Sequence, residues 1–210
     1  MENLISIELK NVSKKFNKEW IFKNLNLLIS PEDKLVILGG NGSGKSTLLQ
    51  TIAGYLITEK GEVVYSNHNH AIEVGNMNDY ISFASPYLQL NEDFNLTEQI
   101  NHIAVFKPFL NNYSAAEIVE IMELKHVANK PIKHFSSGMK QRAKLGIAIL
   151  SNAPILLLDE PVSNLDTNAI AWYKEMIKKH ASTKTIVVCS NAIKEEYEFC
   201  QKQLNMADFK

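Results

Sequence analysis

The sequence predicts an α/β fold, on the strength of three short apolar runs and the segments beside them. Residues 35–38, 155–158 and 185–189 are almost wholly apolar, as strands buried on both faces of a parallel sheet must be. The first run opens into a glycine-rich loop and the second ends in two carboxylates. Between these two runs, Ile100, Ile103 and Ala104, then Ile118, Ile121, Met122 and Leu124, recur at helical spacing. That pattern predicts a helical lobe inserted into the α/β core.

The remaining elements follow in chain order. Ile5, Ile7 and Leu9 alternate with polar residues, predicting a half-exposed strand. A second apolar pattern covers 21–29, and Ser30-Pro31-Glu32-Asp33 reads as the turn after it. Residues 46–53 have helical composition, ended by Gly54. Strands are expected at 61–65 and 80–84, with polar residues 66–79 as a loop or hairpin between them. Pro108 and Pro131 bracket the second helix of the lobe. After Ser136-Ser137-Gly138 a helix carries Leu145, Ile147, Ala148 and Ile149 until Ala153-Pro154, and another is expected over 169–179.

Composition narrows the class. The 210 residues suffice for one domain, or one core with an inserted lobe. Apolar residues make up 45% and charged ones 21%, a globular balance. A net charge of −1 gives no basic field for nucleic acid. The two cysteines, Cys189 and Cys200, cannot make a disulfide framework or a zinc ligand set and read as buried or idle thiols. Glu2, Glu8 and Lys10 interrupt the apolar residues of the N-terminus, unlike a signal peptide. The run at 155–158 is far too short to cross a bilayer. The expectation is a soluble, cytoplasmic chain that meets a membrane only through a partner.

The strongest local signal is Gly39-Gly40-Asn41-Gly42-Ser43-Gly44-Lys45-Ser46-Thr47, which fits G-x-x-x-x-G-K-[ST] between a buried strand and a helix. Glycines let the backbone wrap a phosphate, and the exposed N–H groups form an anion nest at a helix N-terminus. Lys45 is placed to reach the β- and γ-phosphates and the Ser46 hydroxyl to bind Mg²⁺. The motif by itself leaves ATPase, kinase and GTPase open. At the end of the second apolar run stand Asp159 and Glu160, on the sheet edge that lines the ligand crevice of doubly wound folds. Asp159 suits Mg²⁺, directly or through water, and Glu160 suits an attacking water.

Ahead of that pair lies Phe135-Ser136-Ser137-Gly138-Met139-Lys140-Gln141-Arg142, which resembles the L-S-G-G-Q signature of ABC (ATP-binding cassette) ATPases. Ser136 and Gly138 match; Phe135, Ser137 and Met139 replace Leu, Gly and Gln. Ser163-Asn164-Leu165-Asp166 looks like the family's D-loop, and Phe16 sits where an aromatic usually stacks on adenine. The resemblance runs from about Ile5 to Ser190. It implies a P-loop NTPase with a RecA-like core and a small antiparallel β part (residues 1–85 and 136–210) and a helical subdomain at about 86–135, within one domain. It also implies ATP hydrolysis with Mg²⁺ in a head-to-tail homodimer or heterodimer, the Ser136 loop of one copy meeting the nucleotide of the other. The membrane permease is then a separate chain, and the cassette lies at the inner face of the cell membrane. The Ser-Ser-Gly-Met form is similar to export-type systems, including haem-exporter-like ATPases. Two other readings remain: a non-transport ABC ATPase with soluble partners, or a regulatory ATP-binding subunit.

Two positions depart from the family. Residues 81–85 lead into Pro86 where a Gln normally contacts Mg²⁺; the nearest, Gln89, either serves from a shifted loop or is a solvated loop residue. Asn191 stands where the family usually has a His at the γ-phosphate. An amide can donate a hydrogen bond there but cannot carry a proton or charge, so slower hydrolysis is expected.

Overall fold

The structure, a computed structural model, describes residues 4–68 and 70–210. Met1, Glu2 and Asn69, which the sequence reading touched, lie outside the described residues. The chain divides into two compact units. The first holds the described residues through Ile81, with Pro154–Glu160 and Thr183–Lys210; the second holds Ser82–Ala153 and Pro161–Ser182.

The first unit contains two sheets. β1 (Ile5–Phe16) and β2 (Glu19–Ile29) pair antiparallel. After β3 (Lys34–Leu38) and α1 (Lys45–Ile52), β4 (Lys60–Asn67) and β5 (His70–Ile72) complete an antiparallel sheet of order β2-β1-β4-β5. This is the small antiparallel part that the family resemblance implied. The polar stretch 66–79 supplies a hairpin and a 3₁₀ turn, Val74–Asp79. β6 (Ile81–Ala84) carries the chain into the second unit. The chain returns as β7 (Ile155–Asp159), β8 (Thr185–Ser190) and β9 (Lys202–Asn205). These lie parallel with β3 in the order β7-β8-β3-β9. Every residue of β7 and β8 is buried, the expected outcome for strands covered on both faces.

β1 runs seven residues past the alternation at Ile5, Ile7 and Leu9. Its register shifts between Leu9 and Val12, where Asn11 takes a left-handed φ of 51° and its N–H is held by Asn26 Oδ1 at 2.9 Å. This bulge breaks the period of two and brings Val12, Ser13 and Lys14 inward in succession. Tyr65 links the β part to α1: its buried hydroxyl donates to the Ile52 carbonyl at 3.1 Å. Burial pushes the Tyr65 pKa up to about 12, which keeps that donor in place.

The second unit is helical: α2 (Leu96–Phe106), α3 (Ala115–Ile121), α4 (Ser137–Leu150) and α5 (Thr167–His180). Residues 86–135 fall in this unit together with α4 and α5. The reason is packing. Leu96, Ile118, Met122, Ile132, Leu145, Ile149 and Tyr173 are fully buried, and Met122 lies so close to α4 that a Cβ at Gly146 would meet its Cγ at 2.5 Å. The Trp172 indole on α5 donates to the Ile121 carbonyl at 3.0 Å, while the Arg142 guanidinium lies 5.1 Å from the centre of its ring.

Gly61 is the tightest backbone approach in the β part. Its φ is +75°, and a Cβ there would lie 2.3 Å from the Lys10 carbonyl oxygen and 2.5 Å from Asn11, at the bulge. Gly61→Ala therefore meets backbone that cannot yield, at a cost of about 2 kcal/mol or more. Thermal unfolding should show Tm lower by roughly 4–8 °C. Gly75→Ala, where a Cβ meets nothing within 4 Å, is the control and should leave Tm in place. Equal Tm values for the two variants would contradict this account of the bulge.

Candidate active site

The glycine-rich loop joins β3 to α1. Gly44 is the N-cap of α1 with φ 99°, and a Cβ there would lie 2.4 Å from Ile21 Cγ2, so both conformation and space require glycine. α2, α3, α4 and α5 are each capped by a side chain, from Asn95, Ser114, Ser136 and Asp166. α1 has no side-chain cap. The first N–H groups of α1 thus keep their donors available at the positive end of the helix dipole. A Cβ at Gly40 or Gly42 would meet nothing within 4 Å, so the loop faces open space. Asn41 is exposed beside them, while Ser43, Ser46 and Thr47 are half-buried. A Cβ at Gly39 would strike Ser43 Oγ at 2.4 Å, which closes the loop at its base.

Lys45 is 5% exposed, and its ammonium is surrounded by acceptors. It donates to the Gly39 carbonyl at 2.8 Å, the Gly40 carbonyl at 3.1 Å and Asn191 Oδ1 at 2.7 Å. The other end of the same amide, Asn191 Nδ2, donates to Glu160 Oε1 at 2.7 Å. Asn191 therefore bridges the ammonium and the carboxylate, a role that no sequence signal disclosed.

Asp159 ends β7 and is buried, next to the Ser46 hydroxyl. Burial pushes its pKa up and the nearby Glu160 adds to the rise, while the Ser46 hydrogen bond and Lys45 oppose it. Asp159 Oδ1 is buried without a hydrogen-bond partner among the described residues. An oxygen left in that state is suited to a cation. Glu160 has φ 46°, and Ala192, after Asn191, has φ 67°. Left-handed backbone at residues other than glycine costs about 1–3 kcal/mol and is held only where the surroundings impose it. Both left-handed residues stand just past the ends of β7 and β8, where the Glu160 and Asn191 side chains meet.

Lys45, Ser46, Asp159, Glu160 and Asn191 thus form one connected cluster in the first unit. Phe16 is in the same unit at the end of β1, 47% exposed, with the Lys14 ammonium 5.2 Å from its ring centre. Ser136, Gly138 and Gln89 belong to the second unit. Ser136 caps α4, its hydroxyl accepting from the Met139 N–H at 3.2 Å. Gly138 lies against the Asn164 carbonyl, 2.9 Å from where a Cβ would sit, so the first turn of α4 fits against the Asn164 loop only with glycine there. Both border a cavity of about 410 Å³ that Arg142, His126 and Asp166 also line. Gln89 is exposed on the loop after β6.

Three further residues support these parts. The Cys189 thiol is buried and donates to the Lys45 carbonyl at 3.4 Å; burial holds its pKa well above the usual thiol value. The Gln141 amide, buried in α4, donates to the Pro161 carbonyl at 3.0 Å. Lys144, one turn further along α4, reaches the Pro86 carbonyl at 2.7 Å. Neither Gln141 nor Lys144 carries a pattern by which sequence alone would single it out.

Comparison with known proteins agrees with this geometry. Residues 22–163, more than half of the chain, match the family described as ABC transporter. The chain is 30% identical to the probable ABC transporter ATP-binding protein PEB1C of Campylobacter jejuni, over 96% of this chain and 87% of that protein. It is 29% identical to the cytochrome c biogenesis ATP-binding export protein CcmA of Chelativorans sp., over 86% and 88%. Among solved structures, the ATP-binding cassette MJ0796, a dimer in a post-hydrolysis state bound to ADP and Pi, superposes with a TM-score of 0.80. The identity is 27%, covering 95% of this chain and 93% of that one. The chain belongs to the ABC transporter family and is one of its ATP-binding and ATP-hydrolysing cassettes.

Proposed function

We propose that this chain is the energy-supplying subunit of a transporter, paired as a dimer of cassettes and attached to a separate membrane permease at the inner face of the cell membrane. The observation that carries the nucleotide part is the uncapped N-terminus of α1 above the buried Lys45 ammonium. No helix among the described residues is long and apolar enough to cross a membrane, which fits a permease on another chain.

In this reading, residues 39–47 hold the phosphates of ATP, with backbone N–H groups and Lys45 as donors. Ser46 and Asp159 hold Mg²⁺, which when bound neutralises charge on the phosphate oxygens. The orphan Asp159 Oδ1 supports that assignment. Glu160 orients the attacking water and takes its proton. Asn191 fixes Glu160 and, when Lys45 turns to phosphate, offers its amide to the same anion. Phe16 is assigned to stacking on the base, and Gln89 to the part of the family's usual glutamine. Ser136 and Gly138 meet the nucleotide of the second copy, so turnover needs two chains. CcmA is named for export and MJ0796 was captured as a dimer; both support the dimeric transporter reading.

Steady-state hydrolysis of Mg-ATP, measured over a range of protein concentrations, tests the dimer. The rate per chain should climb with concentration and fall at least about a hundredfold in Glu160→Gln, which still binds ATP. A rate per chain independent of concentration would rule out turnover by a self-complementary dimer.

Asn191 is tested by two substitutions. Asn191→Leu removes both of its hydrogen bonds and should slow turnover about tenfold or more. Asn191→Asp keeps an acceptor for Lys45 but replaces the amide donor to Glu160 with a second carboxylate, so its pH–rate profile should lie about tenfold or more below that of wild type. Identical profiles for wild type and Asn191→Asp would show that the bridge does not govern the base.

A further inference from the structure

The loop that replaces the family's usual glutamine has its own anchorage. Pro86 takes the second position of a turn that closes when the Leu88 N–H donates to the Ser85 carbonyl at 3.2 Å. The Ser85 hydroxyl accepts from the Tyr87 N–H at 3.3 Å. At the far end, the Asn91 N–H donates to Gln99 Oε1 at 2.9 Å, and the Glu92 carbonyl accepts from the Lys133 N–H at 2.9 Å. Between the two ends Tyr87, Leu88 and Gln89 are exposed, Tyr87 by 84%. The position of Gln89 is therefore set by where the ends are fastened.

Two lysines one turn apart on α4 do the fastening. Lys140 meets Glu92 at 2.5 Å, but both side chains are substantially solvated and such a pair holds weakly. Lys144 is different. Its ammonium donates to the Pro86 carbonyl at 2.7 Å and lies 3.5 Å from the Ser85 carbonyl. Its pKa is lowered, first by burial and then by the neighbouring Lys140 charge. A lysine drawn out of water toward neutral carbonyls, with a like charge beside it, gives up hydration for this one contact. The contact joins the start of the Gln89 loop to the helix whose N-cap is Ser136.

We propose that Lys144 is a positioning residue for ATP hydrolysis: it fastens the Gln89 loop to the helix that begins at the Ser136 loop, so that the two move as one piece. The inference rests on the function proposed above. Displacement of the loop is then passed to Ser136 through α4 directly, by a charged hydrogen bond to backbone, and needs no partner side chain on the loop.

The test compares Lys144→Met, Lys144→Arg, Gln89→Ala and the Lys144→Met/Gln89→Ala double variant in the full chain. Hydrogen exchange and Mg-ATP turnover are the two readouts. In Lys144→Met the amides of residues 87–90 should exchange about tenfold faster, with α4 unchanged. Its kcat should fall about three- to tenfold, with the KM for ATP within about twofold of wild type. Lys144→Arg, which keeps a donor, should recover most of both. The double variant should turn over no more slowly than the slower single variant, because both changes act through one loop. Unchanged exchange at 87–90, an additive loss of kcat in the double variant, or a loss confined to KM would each overturn the proposal. A wild-type chain that binds ATP but hydrolyses none at any concentration would defeat the proposed function instead. Exchange alone would then decide whether the tether exists, so the two failures are told apart.

Discussion

A lysine ammonium buried at the mouth of a phosphate site must have acceptors whether or not a phosphate is there, and that requirement organises the first unit. Lys45 meets it with two carbonyls of its own loop and the amide of Asn191. The carbonyls are available because Gly39 and Gly40 turn the chain tightly after β3. The amide is available because β8 ends next to β3, with Leu38 in register with Ser190, one residue before Asn191. The parallel order of β7, β8 and β3 is thus what brings Glu160, Asn191 and Lys45 into a row. A slip of one residue in either strand pairing would reverse which side chains face the loop.

The same unit shows a division of work between dry and polar groups. β7 and β8 are buried throughout and hold position through packing, which costs nothing in unsatisfied polarity. At and just beyond their C-terminal ends lie the groups that packing disfavours, a carboxylate with an orphan oxygen and two left-handed residues, beside the buried ammonium that opens α1. Such features are tolerated because rigid strands supply the fixed geometry beneath them. In the second unit the polar work lies on α4, whose Gln141, Arg142 and Lys144 each hold a neighbouring segment.

How much of this was legible in the sequence depends on the range of the interaction. Residues 155–158 and 185–189 announced buried strands because burial on both faces writes an unbroken apolar run. The phosphate loop was legible because its mechanism fixes glycine, lysine and hydroxyl at set spacing. β9 was not anticipated: Lys202, Gln203 and Asn205 are exposed, and Leu204 alone in the strand is buried, so no alternation exists to be read. The extension of β1 escaped because the Asn11 bulge shifts the phase of the pattern. The Asn191 bridge and the Lys144 contact join residues far apart in the chain through hydrogen bonds that leave no periodic mark.

The Cys189 thiol sits at the centre of this arrangement, fully enclosed and with its pKa held well above the usual thiol value. Cys200 is only partly exposed, and burial raises its pKa to about 12. Attack on an electrophile needs thiolate and access together, and neither sulfur has both while the fold is intact. The chain consequently carries its own reporter. Alkylation of Cys189 proceeds only in molecules whose β8 has parted from the Lys45 backbone, so the rate of labelling counts openings of the nucleotide site's floor without any engineered probe.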